Sequence, residues 1–132
     1  MDDRIFLIDK FTGIKVVSIL TNHGMTIDEM LRCSRYELAE GDDEGQLYDP
    51  DSGDYVEAWY DNLIVVDAAV FAQRDAASWI IQNGYYEAAV ALMDDEIRED
   101  VHADYAPCSE LVFLMAYLAK HKEVHGEEFK VN

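Results

Sequence analysis

Basic side chains are the scarcest feature of this chain: its 132 residues hold 10 Lys plus Arg against 28 Asp plus Glu, a formal net charge of −18. Binding to nucleic acid needs clusters of Lys and Arg that neutralise phosphates, and none occurs here, so direct contact with nucleic acid or with an anionic membrane surface is disfavoured. Cysteine is also rare. Cys33 and Cys108 are the two present, too few for a disulfide framework and without C-x-x-C spacing. The longest apolar run, Leu111 to Ala119, falls far short of the roughly 20 residues that span a bilayer. The opening Met1-Asp2-Asp3-Arg4 lacks the basic region and apolar stretch of a secretory signal. Phosphate-binding glycine loops, nucleophile elbows and dinucleotide fingerprints are missing as well. A soluble, reduced, cytoplasmic protein with no cofactor is expected.

Acidity alone would suit a disordered tail, but 50% of the residues are hydrophobic and 11% aromatic, enough apolar surface to fold. The length fits a single domain over residues 1–132. Arg4 to Ile8 and Ile14 to Ile19 are β-branched and aromatic runs around Asp9-Lys10-Phe11-Thr12-Gly13, which predicts a β-hairpin. Thr26-Ile27-Asp28-Glu29 fits a capping box and predicts a short helix ending near Ser34. Asp49-Pro50-Asp51-Ser52-Gly53-Asp54 is a dense turn cluster; after it Tyr55, Glu57, Trp59 and Asp61 alternate with Val56, Ala58 and Tyr60 as in a half-buried strand. Leu63 to Val66 continues as a strand after a bend at Asp61-Asn62.

The remainder reads as three helices: from about Asp67 to Asn83 with Gly84 as its stop, from Tyr85 to Ala103, and from Pro107 to His125 with Gly126 as its stop. In the second, Tyr86, Val90, Met93, Ile97 and Val101 form one apolar stripe. The third is apolar on nearly all sides, as a central helix is. Glu128 to Val131 is expected to return as a terminal strand. The fold class is therefore α+β, antiparallel β-hairpins packed with a group of three main helices.

The charge is concentrated. Residues 35–67 carry 11 acids and 1 base, and residues 68–106 carry 8 acids and 2 bases, so sixteen of the eighteen excess charges lie between 35 and 106. On the second helix Asp95, Glu96 and Glu99 lie opposite the apolar stripe, with Asp94 and Asp100 on its flanks and Arg98 the one base among them. Like charges at this spacing destabilise a helix by a few tenths of a kcal/mol each. The bland account is a solvated helix face. The functional account is a surface that competes with a polyanion: duplex DNA carries a charge about every 1.7 Å of axis, so eighteen charges correspond to roughly 30 Å of duplex. A domain of this size has about that diameter.

The excess of acid in a compact chain, from Glu37 to Asp67 and from Asp94 to Asp104, resembles the small acidic DNA-mimic anti-defence proteins of phages and mobile elements, antirestriction and anti-CRISPR proteins among them. The resemblance is compositional and covers the middle of the chain. It implies a non-enzymatic inhibitor that occupies the basic nucleic-acid channel of a defence nuclease or effector complex. The contact residues expected on this reading are Glu57, Asp61, Asp94, Asp95, Glu96, Glu99 and Asp100, with Tyr55 and Trp59 as aromatic anchors. Burial of Trp59 in the core is the competing expectation. Two other functions fit the same charge: an immunity protein or antitoxin capping a basic nuclease toxin, and an acidic adaptor domain without mimicry.

Catalytic and metal patterns do not emerge. The 49–54 cluster fails the EF-hand pattern, with glycine at the fifth place and Tyr60 at the twelfth. His121 and His125 stand four apart, as two ligands of one metal do, but the zinc-protease glutamate is missing. Surface histidines near a helix end are the simpler reading. Cys33 and Cys108 read as small buried residues rather than as nucleophiles beside His23 or His102.

Overall fold

The computed structural model describes residues 4–20, 25–39 and 45–131. His23 and the acids Asp2, Asp3, Glu40, Asp42, Asp43 and Glu44 lie outside the described residues. Backbone contacts divide the chain into two compact units, Met1–Ala68 and Ala69–Asn132.

Among the described residues the first unit holds six strands and one α-helix. Strands β1 (Arg4–Asp9) and β2 (Lys15–Leu20) form the expected hairpin, and Gly13 takes φ 75° in its turn, a conformation that costs glycine little. Helix α1 (Ile27–Arg32) starts from a complete capping box: the Thr26 hydroxyl accepts from the Glu29 amide at 3.1 Å, and the Glu29 carboxylate accepts from the Thr26 amide at 3.1 Å. Strands β3 (Glu37–Leu38), β4 (Gln46–Asp49) and β5 (Asp54–Trp59) make an antiparallel meander. A 3₁₀ turn, Tyr60–Asn62, supplies the predicted bend before β6 (Leu63–Asp67), which pairs with the free side of β1 to give the sheet order β2-β1-β6. Leu7, Val16, Met30, Leu47, Ala58 and Leu63 form the core of this unit.

A buried carboxylate ties the two sheets together. Asp9 is fully buried; one oxygen accepts the Phe11 and Thr12 amides at 2.8 and 3.0 Å, and the other accepts the Trp59 amide at 3.0 Å. The Thr12 hydroxyl donates to the Glu57 carbonyl at 2.7 Å. Burying a charge is costly unless hydrogen bonds replace its water, and here three backbone donors do so. The hairpin turn thereby holds β5 in place.

The second unit is helical: α2 (Ala68–Phe71, at the junction), α3 (Arg74–Gln82), α4 (Tyr86–Leu92), α5 (Asp95–Tyr105) and α6 (Glu110–His125). Both α3 and α5 pack on α6, which buries Val112, Leu114, Met115, Ala116, Tyr117 and Leu118. The α+β class and the central last helix are thus as expected.

Four expectations need correction. The helix expected from Asp67 to Asn83 breaks after Phe71, where the Gln73 amide turns back to the Val70 carbonyl at 3.1 Å and α3 begins anew. The helix expected from Tyr85 to Ala103 breaks at Met93-Asp94, both in extended conformation, because Asp94 caps a new helix. Its carboxylate accepts from the Glu96 and Ile97 amides at 2.9 and 3.2 Å, a role for which aspartate is among the best residues. Glu128 to Val131 forms no strand; the Phe129 ring instead packs edge-on against Tyr117 and His121, each 5.1 Å away between centroids. Cys33, expected to be buried, is exposed just past the end of α1.

Candidate functional site

The proposed contact residues fall on β5 and its following turn in the first unit, and on α5 in the second. On β5, Ala58 is fully buried and Val56 packs against the core. Side chains alternate across a strand, so Tyr55, Glu57 and Trp59 share the opposite face. Tyr55 is 53% exposed and its ring lies 5.4 Å from that of Tyr48, its cross-strand partner. Glu57 is exposed, and Asp61 is exposed on the 3₁₀ turn. Trp59 is half-buried, so it matches neither a fully packed core tryptophan nor a free one.

The acids beside this face do structural work. Asp49 is buried; one carboxylate oxygen accepts the Asp51 amide at 3.0 Å, and the other pairs with the Arg35 guanidinium at 3.0 Å. Burial alone raises the pKa of Asp49, but the Asp51 amide and Arg35 outweigh it and leave the carboxyl below its ordinary value. The 49–54 cluster is therefore a turn organised around an ion pair. The Tyr60 hydroxyl donates to Asp28 at 2.6 Å, and that bond, then burial, then the negative charges of Asp28 and Asp61 raise its pKa.

On α5 the acids divide into two groups. Asp94 caps the helix, while Asp95 and Glu96 occupy its first turn, where the helix dipole favours negative charge. Asp95 also pairs with Arg98 at 2.9 Å. The break after Met93 thus turns an apparent excess of repulsion into a favourable helix start. Glu99 and Asp100 lie beyond the first turn, both exposed, and that placement does not explain their charge. Glu99 borders a shallow cleft with Arg98, His102 and Phe113.

Asp94 is also the meeting point of the helix junction. Its amide donates to the Tyr117 hydroxyl at 2.7 Å, and its second carboxylate oxygen lies 3.7 Å from His125 Nε2. Tyr117 is fully buried, and burial is the leading cause that raises its hydroxyl pKa. The His121 and His125 rings lie 4.6 Å apart between centroids, and His121 Nδ1 is 3.2 Å from the Glu127 carbonyl. Among the described residues no group of three His, Cys, Asp or Glu side chains is placed to hold a metal.

Patterning in the sequence does not single out Tyr117 as the partner of the Asp94 amide, since that contact joins residues 23 apart. Trp79 and Leu92 are exposed apolar residues that it also passes over.

Chemically, the exposed carboxylates of both faces are hydrogen-bond acceptors. Comparison with known families adds a more particular likeness: the family model described as anti-CRISPR protein AcrIC5 matches residues 82–129, from the end of α3 to just past α6. Over that stretch, about a third of the chain, the sequence is similar to the family. No curated protein and no solved structure matches the chain. Among the described residues no helix is long and apolar enough to cross a membrane.

Proposed function

We propose that this chain is a non-enzymatic inhibitor of the anti-CRISPR kind, acting by electrostatic mimicry of nucleic acid on the basic binding surface of a Cas effector complex. The observation that carries the reading is the family match over 82–129, a stretch that includes Asp94, Asp95, Glu96, Glu99 and Asp100, all exposed on or beside α5. In this reading those carboxylates, with Glu57 and Asp61 on the other unit, accept charge-assisted hydrogen bonds from Lys and Arg that otherwise hold phosphates. Tyr55 and Trp59 supply the apolar contacts that give such a surface its anchors.

The net charge of −18 steers the chain toward a basic groove, so association is fast at low salt and slows as salt screens it. The test is retention of purified CRISPR effector complexes on the immobilised chain, with and without a competing short duplex. Capture that duplex displaces, and that weakens between about 50 and 300 mM salt, supports mimicry. Capture indifferent to duplex refutes mimicry while leaving inhibition by another surface intact.

A further inference from the structure

Unit 2 also exposes apolar surface on α3 and α4. Trp79 is 54% exposed, Leu92 55% and Tyr85 43%, although tryptophan is on average a well-buried residue. The Trp79 and Tyr85 rings lie 5.5 Å apart. With Ala88, Ala91 and Val131 these three side chains line a groove of about 480 Å³. Trp79 and Val131 also border a second depression beside Phe129 and Lys130, so the two adjoin as one trough that shares Trp79 and Val131. The groove's lining mixes two alanines with large aromatic and aliphatic side chains.

We infer that this trough docks a segment of a partner protein that carries apolar side chains at helical spacing flanked by Lys or Arg. The flanking charges identify the occupant. Asp75 stands four residues before Trp79 on α3, and Glu87 four residues before Ala91 on α4; at that spacing each acid shares its helix face with the lining residue. Both acids are exposed, and Lys130 is the single base in the lining. A second copy of the chain is the wrong occupant, because each would bring a net charge of −18 to the contact. An apolar helix without basic flanks would leave Asp75 and Glu87 unanswered. A basic amphipathic segment satisfies both requirements, setting its apolar side chains against Trp79 and Leu92 and its cations against the acids. This inference stands whether or not the acidic faces mimic nucleic acid.

The experiment uses the full-length chain labelled with ¹⁵N and a synthetic 14-residue helical peptide of Leu at three- and four-residue spacing among Lys. Two control peptides replace every Leu by Ser, or every Lys by Glu. The expected result is amide shifts concentrated at Trp79, Tyr85, Ala88, Ala91 and Leu92, and at least tenfold weaker binding for both controls. Trp79→Ala and Leu92→Ser should each weaken the Leu–Lys peptide at least tenfold. Both residues are more than half exposed, so each variant is expected to keep the amide spectrum of the fold. Equal binding by the Leu-to-Ser control, with shifts centred on Glu99 and Asp100, overturns the inference in favour of charge alone. Equal binding by the Glu-containing control removes the basic requirement. Dimerisation of the free chain that Leu92→Ser abolishes assigns the trough to a second copy.

Discussion

Replacing Asp9 by Asn tests whether one buried carboxylate positions the strand that carries Tyr55, Glu57 and Trp59. The substitution preserves shape and removes one acceptor. Asp9 is fully buried and receives three backbone amides, two on one oxygen and one, from Trp59, on the other. An asparagine amide turned with its oxygen toward the hairpin keeps the Phe11 and Thr12 bonds and points its NH₂ at the Trp59 amide; turned the other way it loses two bonds. The milder outcome loses a bond to a charged group, about 1.5–3 kcal/mol, and strands a backbone donor at about 1–3 kcal/mol. Removing a buried charge returns part of this, leaving a net loss of about 2–4 kcal/mol. Urea denaturation at neutral pH should show a lower midpoint with an unchanged m-value. Hydrogen exchange gives the local readout: a loss of about 2 kcal/mol speeds exchange of the Trp59 amide roughly 30-fold. A stability change below about 0.5 kcal/mol with unaltered Trp59 exchange would refute the clamp, placing the variant among ordinary surface changes.

Other outcomes follow from the same geometry. Asp94→Ala should destabilise the start of α5 by about 1 kcal/mol through loss of the cap, whereas Asp94→Ser keeps a capping oxygen without the charge; thermal melts of the pair separate capping from electrostatics, and equal loss in both would show that the cap is not the source. Tyr117→Phe should cost about 1–3 kcal/mol by leaving the Asp94 amide without its acceptor, measured by denaturation of the second unit's helical signal. Glu99→Lys with Asp100→Lys should leave the melting temperature nearly unchanged and weaken capture of the effector at least tenfold at low salt; undiminished capture would take α5 out of the interface. The Asp49 carboxyl should titrate below its ordinary value near 3.8. Because its folded pKa is the lower one, its contribution to stability is complete above the unfolded value and is lost as pH falls through the folded one. Arg35→Gln should raise its NMR titration midpoint, and an unmoved midpoint would show that the pairing with Arg35 does not set it.

The parts legible in the sequence are those encoded by neighbours. Gly13 between two β-branched runs, the Thr26–Glu29 box and the 49–54 turn each carry their chemistry within a few residues, and each forms as expected. The break at Met93-Asp94 was hidden because Val90, Met93, Ile97 and Val101 keep three- and four-residue spacing across it. The opposing signal, an aspartate cap followed by two acids, coincides with the charge cluster of that segment. Asp9 and Tyr117 act through contacts 50 and 23 residues away along the chain, and a local pattern does not encode such pairings. Phe129 likewise packs its ring on Tyr117 and His121 of α6 instead of joining a strand, a contact between residues that a local pattern does not pair. For the candidate site, alternation placed Tyr55 and Glu57 outward on β5, while the exposed Trp79 and Leu92 were visible only once the helices were packed.

The split role of the acids on α5 bears on how the chain tolerates sequence drift. Asp94, Asp95 and Glu96 serve the beginning of the helix whatever binds there, so changing them costs folding as well as charge. Glu99 and Asp100 carry no such obligation. Under the mimicry proposed above, a target that alters its basic surface leaves the last two free to follow, while the first three remain as a fixed negative platform.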